Sequence, residues 1–528
     1  MKKLVFTLGF IGLGIFATAQ QQPAKVDSVF LKNWMHSDFA ATGVYGVNTQ
    51  KALDFLAEKK RKPSNIVVAV VDSGVEYFHE DLKNNMWVNP KEKDKNAKDD
   101  DKNGFVDDVH GWNFVTDKEG KSYAADTYEV TRQYAKYAKK FERSLAAKQQ
   151  DPEGYKKYLD LKKEYFSTIT RYKLNKEVAG ARLSYVQPRM EALNKAFGDQ
   201  ILTKTIVDDF KSEDPLALEG LFIFKELQEK DWTGKKITEV TSSYTKRISG
   251  MLDNADESLK HAYNLSFNPK GGVSTKYGSN DVKGLSDSHG THVAGIIAAE
   301  WGNDKGMQGT AGGNYAKIMG VRAVPDGDER DEDVANAIYY AVNNGAKILN
   351  MSFGKSVDDN SKIVVDAFKY AESKNVLIVK AAGNDNLDVD VNIKYPITLI
   401  DGKQYSPTTI TVGANTRNKE NLRARFSNWG KKVVDVFGPG TEIYATYPGT
   451  NQYRFLQGTS MASPAVAGVA ALVWSHYPKL KAKDIKTILI ETVNKSDQLR
   501  DISVSGGVVD SYKAVQKAEE IYKQRKLK

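Results

Sequence analysis

The chain has 528 residues, a formal charge of +9, 41% apolar residues and no cysteine. The length accommodates one large α/β domain with an insertion, or two or three ordinary domains, and the composition is that of a globular rather than a disordered chain. The missing cysteine excludes a disulfide framework and a cysteine protease, and so modest a charge points to solubility rather than to nucleic acid as a partner.

In chain order, Lys2 and Lys3 precede an apolar run over 4–16 that is too short to span a bilayer, and "ATAQQQ" offers cleavage after Ala19. Residues 1–19 are therefore expected to be a secretory signal peptide, making the product secreted, either periplasmic or extracellular. No later stretch approaches about 18 continuous apolar residues, so no membrane span is expected after cleavage. Residues 20–62 read as a polar leader. A β-branched and alanine run over 66–71 then predicts a parallel strand covered on both faces. It ends at Asp72-Ser73-Gly74, and in open α/β sheets functional groups sit just past strand carboxyl ends, although Asp also opens ordinary turns.

In "DDDKNGFVDDVHGWNF", Asp99, Asp101 and Asn103 alternate ahead of Gly104, as in an oxygen-rich calcium loop. Phe105 would lend its carbonyl and Asp107 or Asp108 would close the shell. His110 stands where an EF-hand has its closing Glu, so the loop is not an EF-hand, and a solvated acidic turn is the competing reading. From about 115 to 280 the composition shifts to Lys, Tyr and Glu. Val130, Tyr134, Tyr137, Phe141 and Leu145 recur at helical steps, as do Tyr158, Tyr165, Ile169 and Tyr172 after the turn signal Asp151-Pro152-Glu153-Gly154. This predicts a mainly helical insertion, either a lid or exosite for a protein substrate or a solvated stabilising insert.

"SDSHGTHVAGIIAAE" places His289 at the mouth of a helix too apolar to be exposed. His292 follows at i+3, but Gly290 and Thr291 fill the gap where zinc hydrolases carry an acid, so His292 is expected to be a packed helix residue. "PDGDERDED" carries Asp326, Asp328, Glu329, Asp331, Glu332 and Asp333, which either attract basic substrate residues or stabilise a helix N-terminus. Two further strands run into Ser352-Phe353-Gly354 and into Ala382-Gly383-Asn384, and such ends leave backbone edges for an extended peptide. The Asn384 amide is a neutral donor that suits an oxyanion. In "QGTSMASPAVAG" the Ser-x-x-x-Pro spacing suits a helix first turn, with Ser460 beside unpaired N–H groups or acting as a plain cap.

Asp72, His289 and Ser460 together supply an orienting carboxylate, a base and a nucleophile, in the chain order Asp, His, Ser. With "VAVVDSGV", "HGTHVAG", "AAGN" and "GTSMASP", the chain resembles the subtilases, the subtilisin-like serine proteases, over about 62–113 and 283–495. The resemblance implies an α/β fold with a doubly wound, mostly parallel sheet and helices on both faces, and peptide-bond hydrolysis through an acyl-enzyme. It implies Ser460 as nucleophile, His289 as general base and acid, Asp72 as its partner, and Asn384 with the Ser460 N–H as oxyanion donors. Ser352, Phe353, Gly354, Ala382 and Gly383 would then border the first specificity pocket, and structural calcium would be the cofactor. The partners would be protein or peptide substrates, with no nucleic acid, and the molecule a monomer. The expected organisation is a signal peptide (1–19), a leader (20–62), a catalytic domain (63–114 and 281–510), a helical insertion (115–280) and a C-terminal helical tail (511–528). Subtilases are often made with an inhibitory prodomain, and the leader is too short for one.

Overall fold

The computed structural model describes residues 28–227, 232–271, 277–449 and 451–526. The expected signal peptide lies outside the described residues. Nine strands form the central sheet: β1 (Ile66–Asp72), β2 (Gly111–Asn113), β3 (Ala316–Arg322), β4 (Ile348–Met351), β5 (Leu377–Ala381), β6 (Thr409–Asn415), β7 (Val436–Pro439), β8 (Asn494–Lys495) and β9 (Gly507–Val508). Their order is β8-β9-β7-β6-β5-β4-β1-β3-β2. Every pairing is parallel except β8 with β9. This is the doubly wound, mostly parallel sheet that the resemblance implies. From β1 the chain builds β2 and β3 on one side before crossing to β4 on the other. The order therefore reverses at β1, and a crevice opens beyond the strand carboxyl ends there.

The helices used below are α1 (Thr49–Glu58), α2 (Glu129–Phe141), α3 (Pro152–Phe197), α4 (Pro215–Glu226), α5 (Ile237–Glu257), α6 (Ser288–Ala298), α7 (Asp331–Asn343), α8 (Ser361–Ser373), α9 (Thr459–His476) and α10 (Ser511–Gln524). Strand alternation sends Val68 and Val70 of β1 into one core layer with α6 and α9. Ala69 and Val71 face the opposite layer with α7 and α8. A strand buried on both faces has no polar side to show, which is why 66–71 reads as continuously apolar. α9 is apolar around its whole circumference and runs through the core.

The leader residues that are described do not stand apart. Trp34, Met35, Ala52 and Leu56 join the same core as α9, and Trp34 Nε1 donates to the Glu442 carbonyl at 3.1 Å. Ala514, Val515 and Ala518 of α10 join it too.

The insertion is helical, as expected. Asp151 caps α3, accepting the Gly154 N–H at 2.8 Å, with Pro152 in the first turn where its missing N–H is harmless. Tyr134, Phe141, Tyr158, Leu161, Tyr165 and Tyr263 form a cluster of their own. Leu145 departs from the expected stripe: α2 ends at Phe141, and Leu145 opens a separate short helix, 69% exposed. The far ends of α3, α4 and α5 enclose further small cores around Leu193 and Met190.

Candidate active site

Asp72 closes β1 and His289 is the second residue of α6. His289 Nδ1 lies 2.7 Å from Asp72 Oδ1, which also accepts the Ser73 N–H at 2.7 Å. The Asp72 side chain is 2% exposed and that of His289 37%, so the ring has one edge held by a buried carboxylate and the rest partly open. α6 can come so close because residue 290 is glycine: a Cβ there would lie 2.2 Å from the Gly74 carbonyl oxygen. Burial disfavours the charged ring, but the charge and hydrogen bond of Asp72 outweigh it and hold the His289 pKa above the ordinary histidine value. His292 is buried on the same helix, with Nε2 3.0 Å from the Arg454 carbonyl and its pKa lowered to about 4 by burial.

Ser460 is the second residue of α9. Its hydroxyl donates to the Ser352 carbonyl at 2.9 Å, and no hydrogen bond among the described residues joins it to His289. Pro464 falls in the second turn of α9, not the first, and this has a local consequence. Having no N–H, Pro464 cannot donate to the carbonyl four residues back, which is that of Ser460. The Ser352 hydroxyl fills the gap, donating to Ser460 O at 2.9 Å. Asn350 Nδ2 donates in turn to Ser352 Oγ, and Ser463 Oγ donates to Asn350 Oδ1, each at 2.9 Å.

Asn384 is fixed through its oxygen. Oδ1 accepts the Thr459 N–H at 2.9 Å and the Thr459 hydroxyl at 3.0 Å, which leaves the amide N–H groups as the free end. Gly383 has φ +101°, and a Cβ there would lie 2.5 Å from Asn428 Nδ2. Asn428 Nδ2 donates to the Ala382 carbonyl at 2.9 Å, and Asn428 Oδ1 accepts the Asp385 N–H at 3.0 Å. The loop is thus held on both sides of Asn384.

Ser460, Asn384, Ser352, Phe353, Gly354, Ala382 and Gly383 line one cleft of 470 Å³. The structure therefore brings together every residue expected to bind substrate. Three side chains needed to position them, Asn350, Ser463 and Thr459, carried no expectation. An asparagine inside the buried run Ile348–Met351 was the available signal, because a buried amide requires partners. Arg322 was also missed. It lies fully buried beside Asp72 in register, donating to the carbonyls of Ser73 (2.8 Å), Val115 (3.0 Å) and Tyr123 (2.7 Å).

The acidic segment serves neither expectation in full. Asp331, Glu332 and Asp333 do open α7. The other contacts bind the insertion: Asp328 accepts the Glu129 N–H at 2.8 Å, and Arg330 pairs with Asp126 at 2.7 Å. Asp333 pairs with Lys270 at 2.6 Å and accepts the Tyr277 hydroxyl.

In the 89–108 loop, Glu92, Asp99 and Asp101 offer carboxylate oxygens that all lie within 4.8 Å of one another. Glu92 Oε2 is buried without a partner. Asp108, expected to close the shell, lies outside that trio and accepts from Asn89 at Oδ1 (2.8 Å) and from Asn103 and Tyr340 at Oδ2 (3.1 and 2.7 Å). Asn103 Oδ1 accepts the Phe105 N–H, and the Phe105 ring packs against Trp112 and Tyr340.

The sequence profile described as "Subtilase family" matches residues 63–134 and 190–509. Thermitase of Thermoactinomyces vulgaris is 38% identical over 236 residues, 44% of this chain and 75% of the relative. Subtilisin DY of Bacillus licheniformis is 36% identical over 208 residues, 39% of this chain and 70% of the relative. A solved protease structure from Pseudoalteromonas arctica aligns over 93% of this chain and 98% of its own, with a TM-score of 0.48 and 21% identity.

Proposed function

The chain belongs to the subtilase family, and from that premise we propose that it is a secreted endopeptidase that hydrolyses protein substrates through an acyl-enzyme on Ser460. As a subtilase it is a hydrolase of the serine protease type. The observation that carries the residue assignment is the 2.7 Å Asp72–His289 hydrogen bond at the carboxyl end of β1, together with the cleft that Ser460 and Asn384 line.

In this reading His289 Nε2 takes the Ser460 proton as Oγ attacks the substrate carbonyl carbon, and later returns it to the leaving amine. Asp72 fixes the ring with its proton on Nδ1 and stabilises the charged form. For attack, the Ser460 hydroxyl exchanges the Ser352 carbonyl for His289 Nε2 as its acceptor. Negative charge building on the carbonyl oxygen meets the free N–H of Asn384 and the backbone N–H of Ser460, which lies in the helix first turn where no intrahelical acceptor is available. Water then attacks the acyl-enzyme with His289 again as base.

His289 must be neutral to accept the proton. Its pKa is held above 6.5, so kcat/KM is expected to fall as pH drops through that higher value. An acid limb at or below 6.5 would contradict the Asp72–His289 coupling.

The orphaned Glu92 oxygen beside Asp99 and Asp101 fits a divalent cation with oxygen ligands, and we assign calcium to these three carboxylates rather than to Asp108. Calcium bound there would supply only positive charge that cross-links the loop. Its removal by chelator is expected to lower Tm, and Glu92→Gln to abolish that difference. Secretion rests on Lys2, Lys3 and the apolar 4–16 run, and among the described residues no helix is long and apolar enough to cross a membrane. We read the molecule as a monomer with protein or peptide substrates and no nucleic-acid partner.

The deciding experiment is fluorophosphonate labelling of the protein lacking residues 1–19, beside Ser460→Ala. Labelling of wild type alone is expected. Equal labelling of both proteins would move the nucleophile elsewhere.

A further inference from the structure

The cleft that holds Ser460 and Asn384 is not built by the catalytic strands alone. Tyr128, Val130 of α2, Glu164, Thr168 and Arg171 of α3, and Tyr263 line it from the insertion. A peptide whose carbonyl carbon sits at Ser460, with its carbonyl oxygen at Asn384, directs the side chain of that residue into the space between Ser352–Gly354 and Ala381–Gly383. The insertion closes the side of this space that the sheet leaves open.

The charges facing it are unequal once their partners are counted. Lys355 is spoken for, 3.0 Å from Glu129 and 2.7 Å from Asp331. Lys394 lies 2.9 Å from Asp385 and donates to Ser356 Oγ at 2.6 Å, but Asp385 is half exposed at the mouth, with its Oδ2 also accepting from Asn428. Lys380 is 4% exposed, and its ammonium has a single acceptor, the Pro396 carbonyl at 2.9 Å. No carboxylate among the described residues comes within ion-pair distance of it. Burial pulls its pKa down to about 8, with Glu329 and Asp435 only partly opposing this. Arg171 has no ion pair among the described residues and stands 5.8 Å from the Tyr172 ring centroid. Against these cations stand Asp328, which accepts the Glu129 N–H, and Glu164, whose carboxylate has no hydrogen-bond donor among the described residues but feels the charge of Lys394.

We propose that this pocket takes an acidic side chain, so that the enzyme cleaves after Glu or Asp, with Lys394 and Lys380 holding the substrate carboxylate and Glu164 of the insertion setting how strongly it is held. The proposal rests on the protease reading above. A buried ammonium with unused donors is an unfavourable arrangement that an incoming carboxylate relieves, and a pocket built that way rejects the uncharged isostere, whose amide brings no charge. Glu164 opposes the acid from the insertion side, competing with it for the charge of Lys394. The insertion is then a part of the specificity device, and not only a stabilising insert.

The test uses chromogenic peptides identical except for Glu, Gln, Phe or Lys at the residue before the cleaved bond, with fluorophosphonate labelling run in parallel. Wild type is expected to favour Glu over Gln in kcat/KM by at least about tenfold. Lys394→Met is expected to lower that ratio about threefold or more with Lys380 still in place, and Glu164→Gln, on an exposed helix position, to raise it. If labelled, active wild type cleaves the Gln, Phe or Lys peptide as fast as the Glu peptide, the acidic preference is overturned while the protease reading stands. A protein that neither labels nor cleaves any peptide overturns both.

Discussion

In α9 every residue from 461 to 476 is buried, whereas in the 46-residue helix α3 only eight are. α9 threads a core already occupied on all sides, so each of its positions meets a fixed neighbour. α3 is gripped along one stripe of tyrosines and leucines, and the rest of its surface meets water. The same contrast holds between the regions around them. The crevice beside β1 is set by backbone approaches with no slack, such as Gly290 against the Gly74 carbonyl. The insertion is set by aromatic clusters whose members can be exchanged for others of similar volume. Where tolerance is absent, sequence is constrained letter by letter. Where tolerance is wide, only the period survives.

Substitutions can break or sharpen this contrast. The largest effect is expected from Ser460→Ala, with a loss of about 10⁶-fold in kcat and an unchanged unfolding transition. A large loss of stability in that variant would mean that the hydroxyl is structural. Next comes the joint between the two regions. Lys355 is 1% exposed and pairs with Glu129 of the insertion and Asp331 of the sheet domain. Lys355→Met removes the one cation these two carboxylates share, leaving Glu129 to Arg132 and Gln133 and Asp331 to backbone N–H groups, and its thermal unfolding should show about 3 kcal/mol of destabilisation. A negligible shift would show that the insertion sits on the domain without that anchor. Asn384→Ala should lower kcat by about 10²–10³-fold with little change in KM or Tm. A fully active, folded variant would remove Asn384 from the oxyanion site. The smallest effect belongs to the solvent face of α3: Leu174, 60% exposed, should accept serine within about 0.5 kcal/mol. A larger loss there would reveal a partner on that face.

The same contrast explains what the sequence disclosed. Asp72, His289, Asn384 and Ser460 each stand within two positions of a glycine, and at Gly74 and Gly290 a Cβ would collide with a backbone oxygen, which is a signal the sequence carries. The continuous apolar run over 66–71 foretold a strand covered on both faces, and Asp151-Pro152 foretold the start of α3. Asn350 and Ser463 were not readable as a pair, since 113 positions separate them and only the fold makes them neighbours. Glu92 escaped because it lies outside the alternating carboxylates that define the loop pattern. That the insertion reaches the cleft could not be read at all. Periodicity gives a helix its buried face, but not the angle at which it leans on another region. In the acidic stretch 326–333 half of the carboxylates, those of Asp328, Asp331 and Asp333, are taken by internal partners, which a charge run does not reveal.

Pro464 shows how a single missing hydrogen atom can couple two distant parts of a chain. In an uninterrupted helix the Ser460 carbonyl would be satisfied from within, and α9 would have no stake in the strand beside it. The proline leaves that oxygen vacant, and the vacancy is filled by Ser352, which also borders the cleft. Helix register and strand position are therefore read against one common reference atom. A shift of either element would strand the same oxygen, so the proposed nucleophile and the wall of its pocket keep a fixed relative position when the rest of the molecule breathes.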